Sequence, residues 1–96
     1  MSSKEAYKQK IEAEVELAQA KLAELKAKVK NSAADTRIEY ENQIENLEQK
    51  INATNAKLQE LSEAGESAWE HLKDGVESAW STLSRAVKDT AAKFKD

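Results

Sequence analysis

The chain has no cysteine and no proline, and its 96 residues include only two glycines, Gly65 and Gly75. Without cysteine there is no disulfide framework, no thiol nucleophile and no sulfur ligand for a zinc ion. Two isolated glycines cannot build a P-loop, a nucleophile elbow or a Gly-rich phosphate cradle. Long apolar runs are also missing, since the longest spans two residues, far from the ~20 that a membrane-crossing helix needs. The opening MSSKEAYKQK lacks the apolar stretch of a secretory signal. No sign of charge dominates: the net charge is −3 with acids and bases interleaved, unlike the basic footprint of a nucleic-acid binder. These absences lead us to expect a cytoplasmic protein, with a membrane surface as the alternative location, and no nucleic-acid partner.

What remains is a helical composition. Ala, Glu, Lys and Leu dominate, with 34% charged and 40% apolar residues, the profile of coiled coils and long helices. From Ile11 the apolar and small residues advance by alternating fours and threes: Ile11, Val15, Ala18, Leu22, Leu25 and Val29. The pattern continues through Ser32, Thr36 and Tyr40 and resumes as Ile44, Leu47, Ile51, Thr54, Leu58 and Leu61. That spacing draws one narrow stripe along an α-helix, the seam of a coiled coil. The steps from Ser32 to Ile44 are three fours in a row, a stutter that unwinds a left-handed supercoil locally.

Two architectures fit the region from Asn31 to Arg37, which has no large apolar side chain. One continuous helix over 4–62 is favoured, because neither Gly nor Pro marks a tight turn there. The alternative is a turn and a three-helix bundle, for which Thr36 and Glu39 offer the spacing of a capping box. A firmer break is expected over 63–66, where Gly65 could end one helix and Ser67 cap the next over 67–95. The expected fold is therefore all-α and elongated, one domain in which a long N-terminal helix and a shorter amphipathic helix form a hairpin. A helix over 4–62 would span roughly 90 Å at about 1.5 Å per residue, while the shorter one covers less than half of it. The uncovered seam calls for a homo-oligomer, held by Leu22, Leu25, Ile44, Leu47, Ile51, Leu58 and Leu61.

The segment ESAWEHLKDGVESAWSTLSRAV, over 66–87, repeats an eleven-residue unit, ESAW-x-x-L-x-x-x-V, without a gap. Eleven residues make three helical turns with little drift, so the unit keeps one face almost straight. Leu72, Val76 and Leu83 form a stripe that Phe94 extends, with Trp69 and Trp80 on one flank and Ala68, Gly75, Ala79 and Ala86 on the other. Packing against the long helix is the expected role of Trp69, Leu72, Val76, Trp80, Leu83 and Phe94, with Gly75 permitting close backbone approach. The alternative role of this face is lipid binding. Interfacial helices usually carry Lys and Arg on their polar face. Here 66–96 holds six acids (Glu66, Glu70, Asp74, Glu77, Asp89, Asp96) against five bases (Lys73, Arg85, Lys88, Lys93, Lys95).

AWEHLKDGVESAW and LSRAVKDTAAKF, downstream of RIEYENQIENLEQKI and AKLQEL, resemble a group of small bacterial coiled-coil proteins with paired AW units and no established activity. The resemblance covers about residues 5–95, most clearly 66–94, and implies a bacterial, non-enzymatic protein without supplying a functional site. A weaker similarity runs to eleven-residue-repeat amphipathic proteins, the apolipoproteins and desiccation-associated helical proteins. The latter are usually too polar to pack, and Trp69, Leu72, Trp80 and Leu83 depart from that pattern.

Residues that could carry chemistry are few. His71 is the single histidine and has no second His or Cys for a metal site. Glu12, Glu14 and Glu16, and likewise Glu39, Glu41 and Glu45, read as solvated acidic faces rather than acid–base pairs, which need a pocket to separate their pKa values. Tyr7 and Tyr40 lie near the seam and are expected to pack with their hydroxyls reaching solvent. We expect no catalytic residues, no cofactor, no metal and no small-molecule substrate. The functional expectation is a non-enzymatic structural or interaction protein that self-associates; a peripheral lipid-binding helix and a stress-protectant helical protein are the alternatives.

Overall fold

In the computed structural model, which describes residues 3–93, three helices pack side by side: α1 Ser3–Lys30, α2 Ala34–Glu63 and α3 Trp69–Lys93. Each rises about 1.5 Å per residue, and their lengths match a body of 52 × 19 × 18 Å. The continuous helix expected over 4–62 does not form; at roughly 90 Å it would not fit within that 52 Å extent. The chain turns instead at residues 31–33. Lys4 near the start of α1 reaches the end of α2, and Tyr40 near the start of α2 reaches Lys93 at the end of α3. The order is therefore up, down, up.

The turn at 31–33 needs no glycine. Ala33 has φ −63° and ψ 151°, an extended conformation open to any residue. The last carbonyls of α1 lack helical partners and are satisfied locally. The amides of Asn31 and Ser32 donate to Lys28 O and Val29 O at 3.1 and 3.0 Å, and Ser32 Oγ donates to Lys28 O at 3.0 Å. The Arg37 guanidinium reaches back from α2 and donates to Lys30 O at 3.4 Å and Ser32 O at 3.3 Å. Thr36 lies inside α2 rather than at its cap, and Ala33 at that cap makes no side-chain hydrogen bond.

The second connection also differs in detail from the sequence expectation. α2 ends at Glu63 with Ala64 extended, at φ −76° and ψ 144°. Gly65 does not adopt the left-handed conformation of a glycine C-cap. Its carbonyl accepts from the amides of Ala68 and Trp69 at 3.0 and 3.2 Å, so a turn over 66–68 leads into α3 and Ser67 is not its cap. Lys4, only 9% exposed, closes the end of α2 from outside: Nζ donates to Ala64 O at 2.7 Å and Ser62 O at 3.5 Å. A cation at that site also opposes the negative end of the helix dipole.

The alternating stripe is the core. Ile11, Val15, Ala18, Leu22, Leu25 and Val29 of α1 face Ile44, Leu47, Ile51, Leu58 and Leu61 of α2, and α3 closes the prism with Trp69, Val76, Leu83 and Ala86. Thr54 occupies a seam position with no exposure; its hydroxyl donates to Lys50 O at 2.9 Å, one turn back, and to Ala79 O at 3.4 Å across to α3. An interior hydroxyl without such partners would be destabilising.

Gly75 departs from its expected role. It is exposed, and a Cβ built there meets only Lys57 Cδ, at 4.0 Å, so no close backbone contact requires it. Gly75→Ala is expected to stabilise the fold by about 1 kcal/mol through helix propensity. That corresponds to a Tm rise of about 4–8 °C for a domain of this size. A thermal melt that moves down instead would show that the backbone at this position is packed.

Candidate interaction surface

The seven residues expected to form a seam between copies, Leu22, Leu25, Ile44, Leu47, Ile51, Leu58 and Leu61, all lie in the interior of one chain. Turning at 31–33 folds the stripe onto itself, so α1 covers α2 and α3 covers both. Of the residues expected on the α3 docking face, Trp69, Val76 and Leu83 are buried and Leu72 and Trp80 are partly buried against the core. Phe94 lies outside the described residues.

Around the start of α3, four side chains from two helices meet. The rings of Tyr7 and Trp69 sit 6.0 Å apart, tilted by 36°, within the range of favourable aromatic pairs. Lys73 Nζ lies 5.2 Å from the Tyr7 centroid and 5.8 Å from that of Trp69, close enough for cation–π attraction. Tyr7 does not send its hydroxyl to solvent: it donates to Glu77 Oε1 at 2.9 Å. Burial pushes the Tyr7 phenol well above the usual tyrosine range, reinforced by the Glu77 hydrogen bond and by the negative charges of Glu77 and Asp74. A phenol held in its neutral form keeps donating, so this corner ties α1 to α3 structurally rather than offering a base.

Several grooves run between the helices, two of them along α3. One, of about 270 Å³ between α2 and α3, is polar and lined by Gln43, Asn46, Lys50, Arg85, Asp89 and Thr90, among others. Gln43 Oε1 is the one buried side-chain oxygen without a hydrogen-bond partner among the described residues. The other, of about 230 Å³ between α1 and α3, is apolar at its base and charged at its rim. Leu17, Trp80, Leu83 and Val87 line it, with Glu14, Lys21 and Lys88 at the edges. Leu17 is 67% exposed, and with Ile38 at 66% it is one of two large apolar side chains described as exposed.

Sequence reasoning missed Leu17, Lys4 and Arg37. Leu17 has a legible signal, because it is a leucine that falls off the stripe. Lys4 and Arg37 have none, since each finds its partners only after the chain has turned. His71 is exposed, as are Glu12, Glu16, Glu39, Glu41 and Glu45, while Glu14 is half-buried at the groove rim. No group of three or more His, Cys, Asp or Glu side chains among the described residues could hold a metal ion. None of the described helices is long and apolar enough to cross a membrane.

Comparison of the chain with protein-family models, with curated proteins and with solved structures finds no match to any of them.

Proposed function

We propose that this chain is a non-enzymatic interaction module that engages a protein partner through the groove between α1 and α3. The observation that carries the reading is the pairing of an exposed Leu17 with a half-buried Trp80 across one groove, on a surface otherwise rich in charge. An exposed large apolar side chain next to an aromatic edge is the composition of a binding hot spot, and charged residues around it exclude water and set orientation. The remaining large apolar side chains of α3 are already turned inward. The stripe that would meet lipid is the one that packs on α1 and α2, so a lipid role would require α3 to leave the body.

Tryptophan emission with and without liposomes separates these readings. Emission blue-shifted in buffer and unaltered by vesicles is expected, because Trp69 is 7% exposed and already faces protein. A blue shift that develops only with vesicles would overturn the interaction reading and show that α3 opens onto lipid.

A further inference from the structure

We propose that a second copy of this chain docks antiparallel on the α1–α3 face, with Leu17 of each copy seated in the groove beside Trp80 of the other. The inference rests on the interaction reading and identifies its partner. Along α1 the outward residues run Lys10, Glu14, Leu17, Lys21, Glu24, Lys28, all within about 80° of arc at 3.6 residues per turn. Rotating this row by a two-fold axis at Leu17 brings Lys10 opposite Glu24 and Glu14 opposite Lys21 of the other copy. A parallel pairing in register sets each charge against its own kind instead. The order of charges therefore selects the antiparallel, isologous arrangement, in which one patch serves both copies.

The position of the apolar contact agrees. Leu17 stands at the middle of α1, which runs Ser3–Lys30, and Trp80 near the middle of α3, Trp69–Lys93. An axis through the middle of a body measuring 52 × 19 × 18 Å overlaps the copies along their whole length. One such face is large enough for the footprint of about 800 Å² per partner that stable complexes bury. The intrachain pairs now made by these charges do not compete strongly. Lys21–Glu24 at 3.4 Å and Lys28–Glu24 at 3.9 Å are surface pairs, and pairs of that kind contribute little.

Sedimentation equilibrium over a dilution series tests the proposal on the full chain. Twice the chain mass is expected at high concentration, falling to one chain on dilution. Leu17→Glu is expected to raise the dissociation constant by more than about tenfold, from the lost apolar burial and a buried charge, with circular dichroism unchanged because the site is exposed. Glu14→Lys and Lys21→Glu are each expected to weaken the pair, and the Glu14→Lys, Lys21→Glu double variant to restore it. That reciprocal rescue is specific to a patch facing its own copy in reverse. A single-chain mass at every concentration overturns the proposal, as does a dimer indifferent to Leu17→Glu and to the charge exchange. If the chain stays monomeric and its emission ignores liposomes, the second copy is overturned and the interaction reading stands. A liposome-induced shift overturns that reading itself.

Discussion

A Leu47→Asp, Ile51→Asp double variant is expected to lose most of its helical circular dichroism in water. Leu47 has no exposed surface and Ile51 has 3%, and both sit in the middle of α2, where the other two helices converge. Truncating a buried Leu or Ile costs about 2–5 kcal/mol, and an unpaired buried carboxylate adds further cost or must take up a proton to stay neutral. Domains of this size are stable by about 5–15 kcal/mol in total, so two such changes together with two buried carboxylates take up most or all of that margin. Isolated helices this rich in charge and poor in internal support do not persist once packing is lost. An unchanged spectrum in this variant would mean that α2 does not use this face for its core. Dilution adds a second check on the parent chain. A core inside one chain keeps its helical signal at any concentration, whereas a seam shared between copies melts as copies separate.

Trp69→Ala is expected to cost about 3–5 kcal/mol, the range for emptying a buried tryptophan site, and Trp80→Ala roughly half as much, in proportion to the smaller area it removes from water. Trp69 fills the corner where α3 begins, stacked near Tyr7 and under Lys73, and it is 7% exposed. Removing it leaves Tyr7 without its ring partner and loosens the first turns of α3. Trp80 is one repeat later, but its ring borders the open groove with Leu17, so part of its surface already meets water. Urea unfolding at a dilution where copies do not associate reads both costs. Equal losses would show that the two tryptophans occupy equivalent environments and that the groove beside Trp80 is closed.

These two tryptophans also mark how far the sequence is legible. The eleven-residue repeat writes them as equivalents, and a wheel places them side by side on one flank. Their difference arises because α1 crosses α3 near Trp69 and leaves a gap beside Trp80, and no residue within the repeat records where another helix will lie. Gly75 shows the same limit from the other side: its flank was a plausible contact, and Ala86 on that flank is buried, yet Gly75 itself faces solvent. Arg37 and Lys4 became structural only through carbonyls that turn toward them from other segments.

The sequence by itself determined that the chain is helical and which stripe the first two helices bury. Every stripe position from Ile11 to Val29 and from Ile44 to Leu61 is interior, since a three-four period allows only one face to leave water. Tertiary structure alone decided where the stripe folds. The connections at Ala33 and Ala64 use extended backbone with negative φ, which any residue adopts, so the turn at 31–33 did not require the glycine or proline whose absence there suggested one unbroken helix. A seam periodicity is the same whether the facing helix belongs to another copy or to the same chain. The choice fell to the weakly apolar stretch at 31–37, where bending forfeits little packing, and to the burial gained when three short helices share one core.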